Sequence, residues 1–72
     1  MQKWMYWLAE FQRKQGDWRV RSENHRVKAE WRNAPTMFDY LNDHGAKGWQ
    51  LVAAVRSSDD NEWSLFFKKP AN

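Results

Sequence analysis

One run near the start of the chain limits what it can become. From Trp4 to Ala9 the residues are uninterruptedly apolar. Lys3 to Arg13 reads as a single strand, because Trp, Tyr and Phe suit a pleated surface and no Gly or Pro interrupts them. Side chains alternate across a strand. Trp4, Tyr6 and Leu8 therefore share one face, and Met5, Trp7, Ala9 and Phe11 the other. Both faces are apolar, so the strand is expected at the centre of a sheet with cover on both sides, at least in its first half. Charge enters only towards its end, at Glu10 and Arg13.

The chain is 72 residues long and has no cysteine. That length allows one small domain over residues 1–72, and disulfide staples and thiolate metal sites are excluded. At this size a single core rarely supplies more than about 3–5 kcal/mol. Six Trp, four Phe and two Tyr are the visible compensation, each able to remove roughly 150–250 Å² from water. A two-layer domain of this length cannot hide all of them. Some are expected to lie partly exposed or to be covered by another chain or a ligand. The apolar run is far too short to span a membrane, and no signal-peptide pattern follows Met1. The expectation is a soluble, cytoplasmic domain with no membrane partner.

Along the chain, Lys14-Gln15-Gly16-Asp17 reads as a turn, with Gly16 free to take a positive φ. Trp18 to Ser22 alternates as a second strand. A Gln15-Gly16 loop sets Val20 opposite Phe11 and Trp18 opposite Arg13, on the Met5/Trp7 face, with Arg19 and Arg21 pointing away. A slip of one residue would reverse this assignment. Val27 to Trp31 alternates as a strand would, although Val27 and Trp31 are also four apart, as on a helix; a short strand is the preferred reading. Thr36 after Pro35 can cap a helix, with Asp39 placing a carboxylate in its first turn. Phe38 and Leu41, with Met37 or Tyr40 beside them, form the expected buried stripe, and Gly45 or Gly48 ends the helix. Trp49 to Arg56 is the next strand, with Trp49, Leu51, Ala53 and Val55 on one face. A polar loop from Ser57 to Glu62 leads into a last strand, Trp63 to Lys69, stopped by Pro70. The sum is an α+β domain, one short helix packed on a mainly antiparallel sheet of three to five strands.

Three stretches resemble a known bacterial family. They are Lys3-Trp4-Met5-Tyr6, the run Leu41-Asn42-Asp43-His44-Gly45-Ala46-Lys47-Gly48-Trp49-Gln50-Leu51-Val52, and Leu65-Phe66-Phe67-Lys68-Lys69-Pro70. The family is the small domain-of-unknown-function family 4177, with its Trp-x-Tyr strand, its Gly-x-x-Gly-Trp-x-Leu-Val segment and its Phe-Lys-x-Pro end. The resemblance implies a strand, helix, strand, strand framework and no activity. Residues 13–34 stand out against it as a hairpin-like insertion. Met5 and Trp7 stand where the family usually has polar residues. On that pattern the sheet face away from the helix is unusually apolar.

No catalytic constellation emerges. His44 directly follows Asp43, and on a helix the two side chains diverge, which is poor geometry for an oriented base. His25 lies in a polar, turn-like segment. Ser57 and Ser58 have no elbow glycines around them, and Asp59, Asp60 and Glu62 lack the spacing of a calcium loop. Gly45-Ala46-Lys47-Gly48 follows a helix instead of opening one, so its amides do not present a phosphate site. The expectation is a non-enzymatic chain with no catalytic residue, cofactor or metal.

Two binding readings remain. In the first, the chain homodimerises through the face bearing Met5, Trp7 and Phe11, with Trp18 beside them, as a protein-interaction or assembly module. Residues 13–34 could instead fold over that face and leave a monomer. In the second, residues 13–32, with seven Lys/Arg against three Asp/Glu, bind single-stranded nucleic acid. Arg19, Arg21, Arg26, Lys28 and Arg32 would follow phosphates, and Trp18 or Trp31 would stack on bases.

Overall fold

The computed structural model describes residues 1–71. Five strands and one α-helix follow one another as β1 (Trp4–Lys14), β2 (Asp17–Glu23), β3 (Arg26–Val27), a 3-10 turn (Trp31–Asn33), α1 (Met37–Ala46), β4 (Gln50–Arg56) and β5 (Glu62–Pro70). All pairings are antiparallel, in the order β3-β2-β1-β5-β4. The chain is thus an α+β protein, with α1 on one face of a five-stranded sheet and β1 at its centre.

Local chemistry explains the joints. Gln15 and Gly16 both take positive φ, at 53° and 85°, the conformation that closes a two-residue hairpin. The resulting register pairs Phe11 with Val20 and Arg13 with Trp18, as expected. The turn into β3 is made by Asn24 and His25, again at positive φ, 51° and 69°. Asn24 tolerates this strain because its carboxamide Oδ1 accepts a hydrogen bond from Leu8 N at 2.9 Å while its own N–H donates to Leu8 O at 2.8 Å. Thr36 caps α1 by accepting from the Asp39 N–H at 3.4 Å. Beyond the helix, Gly48 takes φ 91°, a conformation that costs an ordinary residue about 1–2 kcal/mol.

The structure corrects several expectations. Val27 to Trp31 is not a strand: β3 stops at Val27, and Trp31 begins the 3-10 turn. The helix buries Tyr40 and His44, with Met37 and Leu41 packed beside them. Phe38 is 73% exposed, since the stripe 37, 40, 41, 44 leaves it on the outer side. In β4 an extra residue at Val52 breaks the alternation. The bulge sends Leu51 to the helix side and Ala53 and Val55 to the other.

The largest correction concerns which face of β1 the helix covers. Ala9 and Phe11 are fully buried with Val20, Leu65, Phe67, Ala34 and Tyr40, and the Trp7 indole N–H donates to the Tyr40 hydroxyl of α1 at 2.7 Å. The face carrying Met5, Trp7, Ala9 and Phe11 is therefore the covered one. Trp4, Tyr6 and Leu8 lie on the face that has no helix. Nor is the first half of β1 covered on both sides: Trp4, Met5 and Tyr6 are exposed. β2 pairs with β1 only from Ala9 onward.

Candidate functional site

Two regions concentrate unusual chemistry. The first is a polar seam between α1 and the sheet. The Tyr40 hydroxyl accepts from Trp7 and donates to the Glu23 carboxylate at 2.6 Å, whose other oxygen accepts from Lys28 at 2.9 Å. Burial, and then the hydrogen bond to Glu23, push the Tyr40 phenol far up, so it stays a donor. Burial alone would raise the Glu23 carboxyl, but the Tyr40 and Lys28 hydrogen bonds and the Lys28 charge outweigh it and hold it below the usual carboxylate range. The His44 ring stacks on Tyr40 with centroids 4.1 Å apart, and its Nδ1 is buried without a partner. Burial holds this imidazole below its ordinary value and so neutral.

This seam floors a cleft of about 990 Å³ that runs past Lys28, Thr36, Tyr40, His44 and Trp49. Its polar groups largely satisfy one another: Lys28 with Glu23, Lys47 with Asp43 at 3.0 Å, and Tyr40 with both its neighbours. The arrangement holds the helix to the strands and carries no oriented nucleophile. The signal for it in the sequence is faint, a Tyr and a His four apart on one helix stripe.

Protonation makes the seam acid-labile. The unfolded chain takes up a proton on His44 near 6.5, while the folded form resists it. The depressed folded value means stability is lost as pH falls below about 6.5. A second loss begins below about 4.5, where unfolded Glu23 protonates and folded Glu23 does not. Urea midpoints measured between pH 7.5 and 4 should fall in two stages. A flat midpoint down to pH 5 would contradict the assignment for His44.

The second region is the open face of the sheet. Register pairs Trp4, Tyr6, Leu8 and Glu10 of β1 with Pro70, Lys68, Phe66 and Ser64 of β5, and Gln12 with Glu62, with Ala53 and Val55 of β4 flanking Phe66 and Ser64. Tyr6 is 71% exposed, Val55 53%, Phe66 40% and Trp4 39%. The Lys68 ammonium sits 4.2 Å from the Trp4 ring centroid at one end. Glu10 and Glu62 lie towards the other, four and six residues from the level of Lys68, about 13 Å and about 20 Å along strands that rise about 3.3 Å per residue.

The residues singled out from the sequence are scattered. Of Met5, Trp7, Phe11 and Trp18, only Met5 is exposed; Phe11 is sealed in the core, and Trp7 and Trp18 pack against it. Phe11, Trp7 and Trp18 cannot form a free surface of the folded chain, because they belong to or pack against the core. The basic segment is also dispersed. Arg19 donates to Ala34 O at 2.6 Å and lies 3.7 Å from Asp17, and Lys28 is held by Glu23. Arg32 lies over the half-buried Trp31 ring and Arg13 over Trp18. Arg21 occupies the extra position in β2 and is half-buried, and Arg26 is exposed in β3. Sequence reasoning named none of Tyr6, Phe66 and Val55 as site residues, although Tyr6 was assigned its correct face-mates.

Asp59, Asp60 and Glu62 belong to the β4–β5 turn. The Ser57 hydroxyl donates to Asp59 at 2.7 Å and accepts from the Glu62 N–H, while Asp60 pairs with Arg56 at 3.1 Å. The Ser57 hydrogen bond, followed by those of Asn61, holds the Asp59 carboxyl below its usual range. Among the described residues no three His, Cys, Asp or Glu cluster as metal ligands, and no helix is long and apolar enough to cross a membrane. No protein-family model, curated protein or solved structure matches the chain.

Proposed function

We propose that the chain is a small non-enzymatic assembly module that pairs with a second copy of itself through the open face of its sheet. The observation that carries this reading is the exposure of Tyr6, Phe66 and Val55 on one face of the sheet, which no described element covers. Exposed apolar surface on this scale marks an interaction site or an aggregation hazard. The charges at its ends favour a second copy. If two faces stack with strands running in opposite directions, Lys68 of each copy approaches Glu10 and Glu62 of the other.

Light scattering over a range of protein concentrations, at low and high salt, tests the reading. The expected molar mass is at least twice the 8.8 kDa of the chain and nearly independent of salt, because burial of apolar surface is the main drive. A mass of one chain at every concentration would overturn it.

One observation keeps nucleic acid as a second reading. Tyr6, Trp4 and Phe66 with Lys68 form an aromatic platform beside a cation, which suits stacked bases and a phosphate. That reading requires binding of single-stranded oligonucleotides that weakens steeply with salt.

A further inference from the structure

We propose that β4 is a second self-association edge, at which two copies pair antiparallel about Ala54 and join their sheets into one of ten strands. The inference extends the reading of the open face as a self-association surface, and it stands on the backbone edge of β4 rather than on the Tyr6 and Phe66 rings.

β4 is the outer strand of the sheet, so among the described residues one side of its backbone has no ladder partner. All of its residues, from Gln50 to Arg56, are exposed. Leu51, Val52 and Val55 are among them, at 43%, 53% and 53% exposure. Edges of this kind are usually guarded by lysine, proline, or a short or bulged strand. Here no charge or proline occurs between Gln50 and Val55. The single guard, the bulge at Val52, lies towards one end and leaves Ala53 to Arg56 regular.

An unpaired ladder is a template for another strand. The opposite edge of the sheet cannot supply it, since β3 has two residues, Arg26 and Val27. A second β4 can. Pairing about a twofold axis through Ala54 sets Ala53 of each copy against Val55 of the other, on the open side beside Phe66. The two small Ala54 side chains meet on the helix side, which lets the strands close to the ordinary spacing of about 4.8 Å. Each Arg56 falls opposite the bulge rather than opposite its own counterpart. It is already tied to Asp60 and stacked on Trp63. The axis through β4 is perpendicular to the sheet, and the one relating stacked open faces lies parallel to it. Together they close as a tetramer of two ten-stranded layers.

The test uses the full chain and four variants, Ala54→Lys, Ala54→Glu, Tyr6→Glu, and Tyr6→Glu combined with Ala54→Lys. Ala54 lies on the helix side of β4, so its substitution leaves the open face intact. Like charges facing each other across the axis should block pairing. Light scattering should give about four times the 8.8 kDa chain mass for the natural sequence. Each single variant should give half of that mass, and the double variant a single chain. Mixing equal amounts of Ala54→Lys and Ala54→Glu should restore the full mass, which misfolded chains could not do. Ala54 variants that keep the full mass, or a mixture that fails to recover it, would overturn the β4 pairing. A natural dimer split by Ala54→Lys but not by Tyr6→Glu upholds the β4 pairing and sinks the open-face reading. A dimer split only by Tyr6→Glu does the opposite, and a monomer sinks both.

Discussion

Replacing Phe11 by Ala should unfold the domain rather than release a folded monomer. Phe11 has no exposed surface. Its ring meets Tyr40 edge-on with centroids 5.2 Å apart, and Val20 and Trp63 are its partners on the flanking strands. Truncating a buried Phe to Ala costs about 3–5 kcal/mol in transfer and cavity terms. A cysteine-free domain of this size rarely has more than that in total. Far-ultraviolet circular dichroism and urea titration of dilute Phe11→Ala protein should show a chain largely unfolded without denaturant. Were the Met5/Trp7/Phe11 face an interface, the same substitution would leave a folded monomer with a normal spectrum. The experiment therefore separates the covered face from the open one.

Tyr6→Glu should do the reverse, keeping the fold and abolishing association through the open face. Tyr6 is 71% exposed and faces Lys68 across the β1–β5 ladder. In the isolated chain a glutamate there gains a cationic neighbour and loses little packing, so the urea midpoint extrapolated to low protein concentration should move by less than about 0.5 kcal/mol in stability. In a stacked pair the same position lies within the apolar contact, where an aromatic anchor is worth about 2 kcal/mol or more and a buried carboxylate adds a desolvation penalty. The two together raise the dissociation constant at least about a hundredfold. Sedimentation velocity across a concentration series would measure it. An unchanged constant would show that Tyr6 is not in the contact.

Much of the fold was legible because particular residues act locally. Gln15-Gly16 sets a two-residue turn, and that turn alone determines the Phe11–Val20 and Arg13–Trp18 register. Thr36 with Asp39 marks the start of α1, and Trp63, Leu65 and Phe67 alternate cleanly into the core. The candidate site was not legible, for a physical reason. β1 is apolar at every position from Trp4 to Ala9, so a period of two separates its faces but cannot rank them. The choice is made by contacts distant in sequence: the Trp7 N–H needs an acceptor, which Tyr40 supplies, and Tyr40 in turn needs Glu23. Once Trp7 is drawn under the helix, Tyr6 and Phe66 are left outside. The bulge at Val52 was equally hidden, since no glycine marks it, and it moves Val55 to the open side. Asn24 and His25 turn the chain without glycine because Leu8, sixteen residues back, supplies the stabilising backbone groups.

The most direct measurement is an isotope-filtered nuclear Overhauser experiment on an equimolar mixture of labelled and unlabelled chains, which detects contacts between copies only. Cross-peaks linking the Tyr6 ring of one copy to Leu8, Phe66 or Val55 of the other are the predicted result. Intermolecular peaks confined to other residues, or none in a sample whose mass exceeds one chain, would contradict the assignment of the open face as the self-association surface.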